Sequence, residues 1–231
     1  MSRMSDLLEI EKAKGRSDFY WFSKYMYGNS DMVEHVHRGI CDKIVKWNYE
    51  KTGAYELLIL QPRGFFKSSI GEAYVTWELE KNRNMRVLIT GETVENGIRR
   101  LSAIKSCIEK PEFVEVYGDL KNDPKTKKPI KWAEDEITLV GRSGRGVLQR
   151  EGSVTVSAPG STKTGMHYDL IVADDLVGPS NVTTSNLIEK TKDYYKQLLS
   201  LIEPGGKIIF IGTRWSYDDL YGWMLGENEE K

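Results

Sequence analysis

The 231-residue sequence has few of the features that crosslink, export or insert a protein. Its two cysteines, Cys41 and Cys107, are too few for a disulfide scaffold and lack metal-ligand spacing, which fits a reducing compartment. The N-terminus is charged rather than apolar, and no apolar run reaches membrane-spanning length. The formal net charge of −1 excludes a global field that attracts nucleic acid, so such contacts would need local patches. We therefore expect a soluble, cytoplasmic protein.

The first part of the chain has helical periodicity. Apolar residues recur there at three- and four-residue steps and predict one buried stripe: Val33, Val36, Ile40, Ile44 and Trp47. Gly53 interrupts the pattern. We therefore divide the chain into a helical N-terminal segment, 1–52, and a core, 53–231. Aromatic residues of the first segment would either stack on an adenine ring or form core: Tyr20, Trp21, Tyr25 and Tyr27.

Beyond Gly53, short apolar strands alternate with helical patterns. Helices are predicted at 70–80, at 94–109 (stopped by Pro111) and from about Leu187 to Pro204. The predicted strands are 57–60, 86–90, 136–140, 153–157, 170–173 and 207–212. Strands that are almost wholly apolar and alternate with helices predict an α/β fold, with a mainly parallel sheet covered on both faces.

The first core strand leads into a segment typical of a phosphate-binding loop, comprising Gln61, Pro62, Arg63, Gly64, Phe65, Phe66, Lys67, Ser68 and Ser69. In such a loop, backbone N–H groups and a helix N-terminus face a phosphate, the lysine reaches the outer phosphates and the serine hydroxyl binds Mg²⁺. Gln61 and Phe66 stand where the G-x-x-x-x-G-K-[ST] pattern has glycine. The alternative interpretation is an ordinary helix N-terminus.

Phe66 raises a further question about the loop. A glycine before the lysine often takes a positive φ, which a bulky side chain disfavours. Phe66 would therefore either strain the loop or pack its ring against apolar neighbours.

A second motif supports the first. The strand at 170–173 ends in Asp174 and Asp175, as in a Walker B strand. Asp174 would hold Mg²⁺ through water and Ser68, and Asp175 would orient and deprotonate the attacking water. Singly, these carboxylates would also suit a strand end followed by a turn. The predicted strand 86–90 lies between the two motifs in sequence, which favours a RecA-like P-loop NTPase core over the simpler order of nucleotide kinases.

Several arginines are candidates for stabilising transition-state charge. Arg63, inside the loop, would act in cis, or else it would pair with an acidic neighbour and shape the loop. Arg142, Arg145 and Arg150 would act in trans on a neighbouring subunit or contact DNA, or would belong to a solvated loop.

A later segment, Gly212, Thr213 and Arg214, would sense the γ-phosphate. The alternative is a buried strand whose Trp215 fills the core.

These motifs together resemble the ATPase half of the large terminase subunit of tailed double-stranded DNA bacteriophages. The resemblance rests on the loop at 62–68, the lead-in at 164–169, the paired carboxylates and Gly212–Trp215. It implies an ATP-hydrolysing motor of the additional-strand (ASCE) class that pumps viral DNA into a procapsid in the host cytoplasm. It also implies that Lys67 and Ser68 bind phosphate and Mg²⁺, that Asp174 supports the metal, that Asp175 is catalytic and that 212–214 is a coupling motif.

The same resemblance implies partners. They are double-stranded DNA, the portal protein, a small terminase subunit and further copies of this chain in a ring, although a monomer is expected in isolation. Two differences from the family's usual pattern affect the site: Phe66 replaces glycine, and the second carboxylate is Asp rather than Glu. We expect no nuclease activity, because the sequence ends at Lys231 without the clustered acidic ligands of a nuclease domain.

Two other functions remain open at this stage. One is a helicase-type translocase, which would normally need a second RecA-like domain. The other is a non-hydrolysing nucleotide-binding assembly module, against which the intact Lys67, Ser68, Asp174 and Asp175 argue.

Overall fold

A computed structural model describes residues 2–47, 55–142, 151–161 and 165–226. Its helices are α1 (Ser2–Ser17), α2 (Phe19–Trp21), a π-helical turn (Phe22–Tyr27), α3 (Glu34–Lys46), α4 (Lys67–Lys81), α5 (Val94–Ile108), α6 (Pro111–Tyr117), α7 (Ser185–Leu201) and α8 (Leu220–Met224). Its strands are β1 (Glu56–Leu60), β2 (Val87–Thr90), β3 (Lys131–Trp132), β4 (Glu136–Thr138), β5 (Val154–Ser157), β6 (Tyr168–Asp174) and β7 (Ile202–Gly212). In the described part of the chain, no helix is long and apolar enough to cross a bilayer.

The strands form one seven-stranded sheet in the order β1-β7-β6-β2-β5-β4-β3. The first five of these are parallel, whereas β4 and β3 continue the sheet antiparallel. The strand that lies between β1 and β6 in the sheet is β7. The expectation of a RecA-like order rests on β2, which instead lies on the far side of β6. The predicted α/β class and mainly parallel sheet are confirmed.

Helices cover both faces of the sheet. Leu170 and Val172 of β6 belong to the cluster formed with α4, α5 and the N-terminal helices. The alternate residues Ile171 and Ala173 belong to the second cluster, with α7 and α8. Because successive side chains of a strand point to opposite faces, an almost wholly apolar strand needs cover on both sides.

The N-terminal helices pack on α4. Phe19 lies edge-on to Tyr74 with ring centroids 5.4 Å apart, and Trp77 Nε1 donates to the carbonyl of Gly15 over 2.8 Å. Arg16 pairs with the buried carboxylate of Glu80. Side chains from both sides of the expected 52/53 boundary thus share one hydrophobic cluster. The boundary itself, with Gly53, lies outside the described residues.

Two local predictions are wrong, the first of them only in part. The buried face of α3 contains His37, Cys41 and Ile44, whereas Val33 is 42% exposed. The predicted stripe is therefore right at Ile44 and Trp47, which are buried, and wrong at its first residue. The helix predicted to stop before Pro111 does so, since α5 ends at Ile108, and Pro111 also begins α6. Proline is well suited to the first turn, where its missing N–H has no intrahelical acceptor.

The second error concerns the end of α7. That helix ends at Leu201, and Ile202 already pairs with Tyr168 in the sheet. The segment 204–206 is an irregularity within β7, where Gly205 has a φ of +83°. Glycine adopts this backbone without steric cost, which lets the strand continue past it.

Candidate functional site

The register of the sheet brings the two predicted motifs to one edge. Leu60 at the end of β1 pairs with Gly212 of β7, and Asp174 at the end of β6 pairs with Ile211. Past the strand ends, Gln61 N donates to Gly212 O over 3.0 Å and Asp175 N to Ile211 O over 2.8 Å. Ligands of open α/β sheets bind outside the carboxyl ends of the strands, so this edge is the candidate site.

The loop reaches α4 through a left-handed residue. Phe66 has a φ of +53° and precedes the helix, and its carbonyl accepts from Ile70 N over 2.8 Å. Its ring is half-buried and lies edge-on to the His37 ring, with centroids 5.4 Å apart. Strain and packing, posed as alternatives from the sequence, therefore occur together at Phe66. Gly64, with a φ of +83°, is the other residue of this loop in the left-handed region.

Lys67 begins α4 beside the second carboxylate. Its Nζ lies 3.5 Å from Asp175 Oδ1, and its side chain is only 8% exposed, against 37% for Asp175. Asp175 has a φ of +48°, a region that Asp tolerates better than most residues. The lysine thus places a buried cation at the helix N-terminus, where an anionic ligand would be attracted.

The first carboxylate is held at both oxygens. Ser68 Oγ donates to Asp174 Oδ1 over 2.9 Å, and Arg100 Nε lies 2.6 Å from Asp174 Oδ2. The Arg100 N–H does not point at that oxygen, so neither atom has a hydrogen-bond partner among the described residues. Burial raises the pKa of the Asp174 carboxyl, and the Arg100 charge acts in the opposite direction.

Arg100 also binds a second buried carboxylate. Its Nη1 lies 3.1 Å from Glu72 Oε1, and Tyr27 donates its hydroxyl to Glu72 Oε2 over 2.8 Å. Burial raises the pKa of Glu72, while Arg100 and Tyr27 favour its charged form. Burial alone would lower the pKa of Arg100, but the charges of Asp174 and Glu72 outweigh it and raise that pKa.

Arg63 contacts the segment that follows β7. Its guanidinium carbon lies 4.7 Å from the centre of the Trp215 ring, a cation–π contact. Trp215 is 39% exposed and therefore does not fill the core. Arg63, Trp215, Thr213, Asp175 and Glu92 line one cavity of about 160 Å³. The loop arginine and the second carboxylate thus face a common space.

The predicted coupling segment is tied to the loop and to α8. Thr213 Oγ1 donates to the carbonyl of Gln61 over 2.9 Å. A Cβ on Gly212 would lie 2.4 Å from the hydroxyl of Tyr221, so no side chain fits there. Arg214 Nη2 donates to Tyr217 O over 2.9 Å, and its Nε lies 3.8 Å from the buried Asp219. The described contacts of Arg214 therefore brace the turn before α8.

Of the trans arginine candidates, Arg142 is the one that the structure describes, and it lies away from this edge. Arg142 Nη1 donates to Glu151 O over 2.6 Å, and burial lowers the pKa of its half-buried guanidinium. Nearby Arg86 and Asp169 mark the opposite, amino-terminal ends of β2 and β6. Arg145 and Arg150, like Thr164 of the lead-in, lie outside the described residues.

Two residues of the site, Arg100 and Glu72, are not predicted from the motifs. The helical period of α5 does give a signal, since the buried residues Gly97, Leu101 and Ile104 place position 100 on the same face. An arginine on a buried helix face needs an anionic partner. Glu72 likewise falls among the buried positions of α4.

Comparisons with known proteins extend this picture. No family model matches the sequence. Over 174 residues the chain is 28% identical to a protein of Enterobacteria phage T3 named "Terminase, large subunit". The match covers 73% of this chain but only 28% of the relative, so the chain spans less than a third of that protein.

The fold has a solved counterpart. The chain superposes on the crystal structure of the HK97 bacteriophage large terminase with a TM-score of 0.58 and 11% identity, covering 93% of this chain and 41% of that one. The shared fold confirms the RecA-like architecture and includes the helical N-terminal segment. Taken together, the sequence match and the shared fold confirm the resemblance to the large terminase subunits of bacteriophages.

Proposed function

We propose that this chain is an ATP-hydrolysing motor domain that drives double-stranded viral DNA into a procapsid. The observation that carries the proposal is the convergence of Lys67, Ser68, Asp174 and Asp175 at one sheet edge, with contacts of 3.5 Å and 2.9 Å. A lysine and a hydroxyl at a helix N-terminus, opposite paired carboxylates, suit phosphoryl transfer to water. The similarity to proteins named as large terminases supports the assignment.

The donor set suits Mg²⁺. It contains a serine hydroxyl and a buried carboxylate with an oxygen that lacks a hydrogen-bond partner in the described structure. Magnesium is commonly bound by one or two protein oxygens together with substrate phosphates and water, rather than by a closed protein cage. Ser68 would bind the ion and Asp174 would hold it through water. When bound, the ion would neutralise charge on the β- and γ-phosphates.

Lys67 and Asp175 would separate on ATP binding. The phosphates are stronger partners for the Lys67 ammonium than a single carboxylate 3.5 Å away. Asp175, once released, would orient a water in line with the γ-phosphate and accept its proton. Asp is one methylene shorter than Glu, and the left-handed backbone of Asp175 would redirect the shorter side chain toward that water.

Arg63 and the coupling segment would transmit the state of the nucleotide. Arg63 faces the same cavity as Asp175, so it is the cis candidate for stabilising charge on the transferred phosphoryl group. Its stacking on Trp215 and the Thr213–Gln61 hydrogen bond would pass loop movements to the segment 212–214. Such a link would couple phosphate release to motion on DNA.

The N-terminal segment would act as a lid on the adenine side. Three contacts join it to the loop region: His37 with Phe66, Tyr27 with Glu72, and Asn29 Nδ2 with the Ser69 carbonyl over 3.4 Å.

Tyr20 and Tyr27 are buried, whereas Tyr25 is 62% exposed beside Trp21. An exposed ring of this kind is available for stacking, while the buried ones hold the segment in place.

The partners belong to the proposal as well. They are double-stranded DNA, the portal protein, the small terminase subunit and further copies of this chain in a ring, acting in the host cytoplasm.

A phosphate-release assay with Mg²⁺-ATP, with and without double-stranded DNA, tests the proposal. We expect weak basal release that double-stranded DNA stimulates. Stimulation by single-stranded nucleic acid instead would favour a helicase-type translocase. Nucleotide binding without release under any condition would favour a non-hydrolysing assembly module.

A further inference from the structure

We infer that Arg100 is a positioning residue that fixes the orientation of Asp174 for the magnesium site; the inference rests on the proposed function. Arg100 lies on α5, outside the phosphate loop and the Walker B strand. It nevertheless contacts carboxylates from two different elements, Glu72 of α4 and Asp174 of β6.

Both carboxylates are costly to bury. The side chains of Glu72 and Asp174 are 8% and 4% exposed, and that of Arg100 is 32% exposed. A buried carboxylate is tolerated when a cation and hydrogen bonds compensate its lost hydration. Arg100 supplies that cation to both: its Nη1 donates to Glu72 Oε1, and its Nε lies 2.6 Å from Asp174 Oδ2 as an ion pair without a hydrogen bond.

The contact determines how the Asp174 carboxylate is turned. Ser68 takes Oδ1 and Arg100 lies against Oδ2, so rotation of the carboxylate would break both interactions. Without Arg100, Lys67 would remain as a cation whose charge already acts on Asp174. The lysine that should reach phosphate would then be drawn to Asp174, and Ser68 would lose its partner. Groups that orient a metal-binding carboxylate typically change metal affinity by about 10–100-fold.

The orientation of Arg100 is fixed from its other side. Glu72 accepts from Arg100 at Oε1 and from Tyr27 at Oε2. Tyr27 is the last residue of the π-helical turn, and its carbonyl accepts from Lys110 Nζ over 2.6 Å. A continuous line of contacts therefore runs from the N-terminal segment through Glu72 and Arg100 to Asp174.

The test is the Mg²⁺ dependence of binding of a fluorescent, slowly hydrolysed ATP analogue. Arg100→Lys keeps the charge but replaces the planar guanidinium, which contacts both carboxylates at once, with a single ammonium. Arg99→Lys, at the exposed neighbouring position, is the matched control. We expect Arg100→Lys to raise the Mg²⁺ concentration for half-maximal binding about tenfold. Binding in EDTA should change less than about twofold, because that state does not use the metal site. Arg99→Lys should match wild type in both.

A double-mutant cycle separates positioning from general structure. If Arg100 acts through Asp174, Arg100→Lys should have little further effect on Mg²⁺ dependence in an Asp174→Asn background. Should Arg100→Lys fail to fold, Tyr27→Phe removes only the hydroxyl beyond Glu72 and should shift the Mg²⁺ midpoint about twofold in the same direction.

Two results would overturn the inference. An unchanged Mg²⁺ midpoint in a folded Arg100→Lys protein, or an equal loss of binding with and without Mg²⁺, would make Arg100 a structural residue only. If the wild-type protein itself lacks Mg²⁺-dependent nucleotide binding, the proposed function fails and the inference fails with it. The wild-type and variant measurements therefore distinguish the two failures.

Discussion

At the residue scale, two residues with left-handed backbone belong to the Lys67–Asp175 contact: Phe66 precedes the lysine, and Asp175 is its partner. Phe66 and Asp175 have φ values of +53° and +48°. Each costs on the order of 1 kcal/mol, and such strain persists where surrounding contacts over-determine it. The Phe66 carbonyl accepts a hydrogen bond from Ile70 N, and Asp175 N donates one to the Ile211 carbonyl. The strained backbone is therefore held beside the groups that would contact phosphate.

Comparing Phe66→Ala with Phe66→Gly separates strain from packing. Both variants lose the contact with His37 and should be less stable than wild type, alanine by about 2 kcal/mol. Glycine adopts the left-handed backbone freely, so it should recover about 1 kcal/mol relative to alanine. Chemical denaturation measures both values.

The Phe66→Ala and Phe66→Gly variants also test the role of the ring in nucleotide binding. Loss of the anchoring ring should weaken binding of a fluorescent ATP analogue in both variants. If glycine instead bound more tightly than wild type, strain rather than packing would dominate the free loop. A glycine variant no more stable than alanine would show that the positive φ carries no cost.

Asp174→Asn and Asp175→Asn should affect different steps, nucleotide binding and hydrolysis respectively. Asp175→Asn should keep Mg²⁺-dependent nucleotide binding while hydrolysis falls at least about 100-fold, because only the base and water anchor is lost. Asparagine tolerates the left-handed backbone at this position. Asp174→Asn should instead weaken Mg²⁺-dependent binding. Titration of an ATP analogue and phosphate release measure the two effects, and identical behaviour would refute the division of roles.

Residue identities at the site were only partly predictable. Lys67, Ser68, Asp174 and Asp175 follow from motif spacing, because strand ends of a parallel sheet share one edge. Arg100 could not be assigned a partner from sequence. Its contacts depend on how α5 lies on α4 and on the end of β6, which no local pattern specifies. The Arg63–Trp215 contact likewise depends on where the chain turns after β7.

At the element scale, two glycines set how closely the helices approach the sheet. A Cβ on Gly71 of α4 would lie 2.7 Å from Ile211 Cδ1, and one on Gly97 of α5 would lie 2.4 Å from Val156 Cγ1. These helices carry Lys67, Ser68 and Arg100. Their close approach therefore brings the side chains of both helices within reach of Asp174.

Gly97→Ala should destabilise the protein although alanine is the better helix former. Overpacking against Val156 should lower the free energy of unfolding by about 1–3 kcal/mol. Gly39→Ala in α3 is the control, because nothing lies within 4 Å of its added Cβ. It should raise stability by about 0.5–1 kcal/mol through helix propensity alone. Equal effects at the two positions in thermal or urea unfolding would contradict the close packing.

The hydrophobic period of the sequence predicts whether a segment is a helix or a strand, but it does not predict the residue at which the element ends. The longer strands and helices of the core are predicted because their apolar patterns are long enough to distinguish a helical from a strand period, whereas the two-residue strand β3 and the short helices α6 and α8 are not predicted. Ile202 was assigned to a helix since it continues the stripe of α7, but pairing with Tyr168 places it in the sheet. The α3 stripe is wrong at its first residue because the buried face includes His37, which contacts Val33 and Phe66 and which a purely apolar pattern overlooks.

At the scale of the whole molecule, the sheet edge gathers groups from widely separated parts of the chain. The loop, the carboxylates and the segment 212–214 come from three neighbouring strands, β1, β6 and β7. Arg63 shares a cavity with Asp175, whereas Arg142 is held against Glu151 near the opposite ends of the strands. This arrangement favours Arg63 as the arginine that acts within one subunit.

Arg63→Ala should therefore lower turnover by about 10³-fold, the magnitude typical of an arginine finger. The specific activity of the wild-type protein should also stay constant over a dilution series, because in this account the site is complete in one chain. Phosphate release at several protein concentrations, for wild type and Arg63→Ala, measures this. Specific activity that rises with concentration, together with a mild effect of Arg63→Ala, would assign the arginine to a neighbouring subunit.

The most direct test of the account is Mg²⁺-dependent phosphate release from ATP by the wild-type chain and by Lys67→Ala, with exposed Lys125→Ala as control. If the edge at β1, β7 and β6 is an ATPase site, Lys67→Ala should bind an ATP analogue weakly and release no phosphate above background. Lys125→Ala should match wild type. Unchanged hydrolysis in a folded Lys67→Ala protein would contradict the account, because the phosphate loop would then have no part in the reaction.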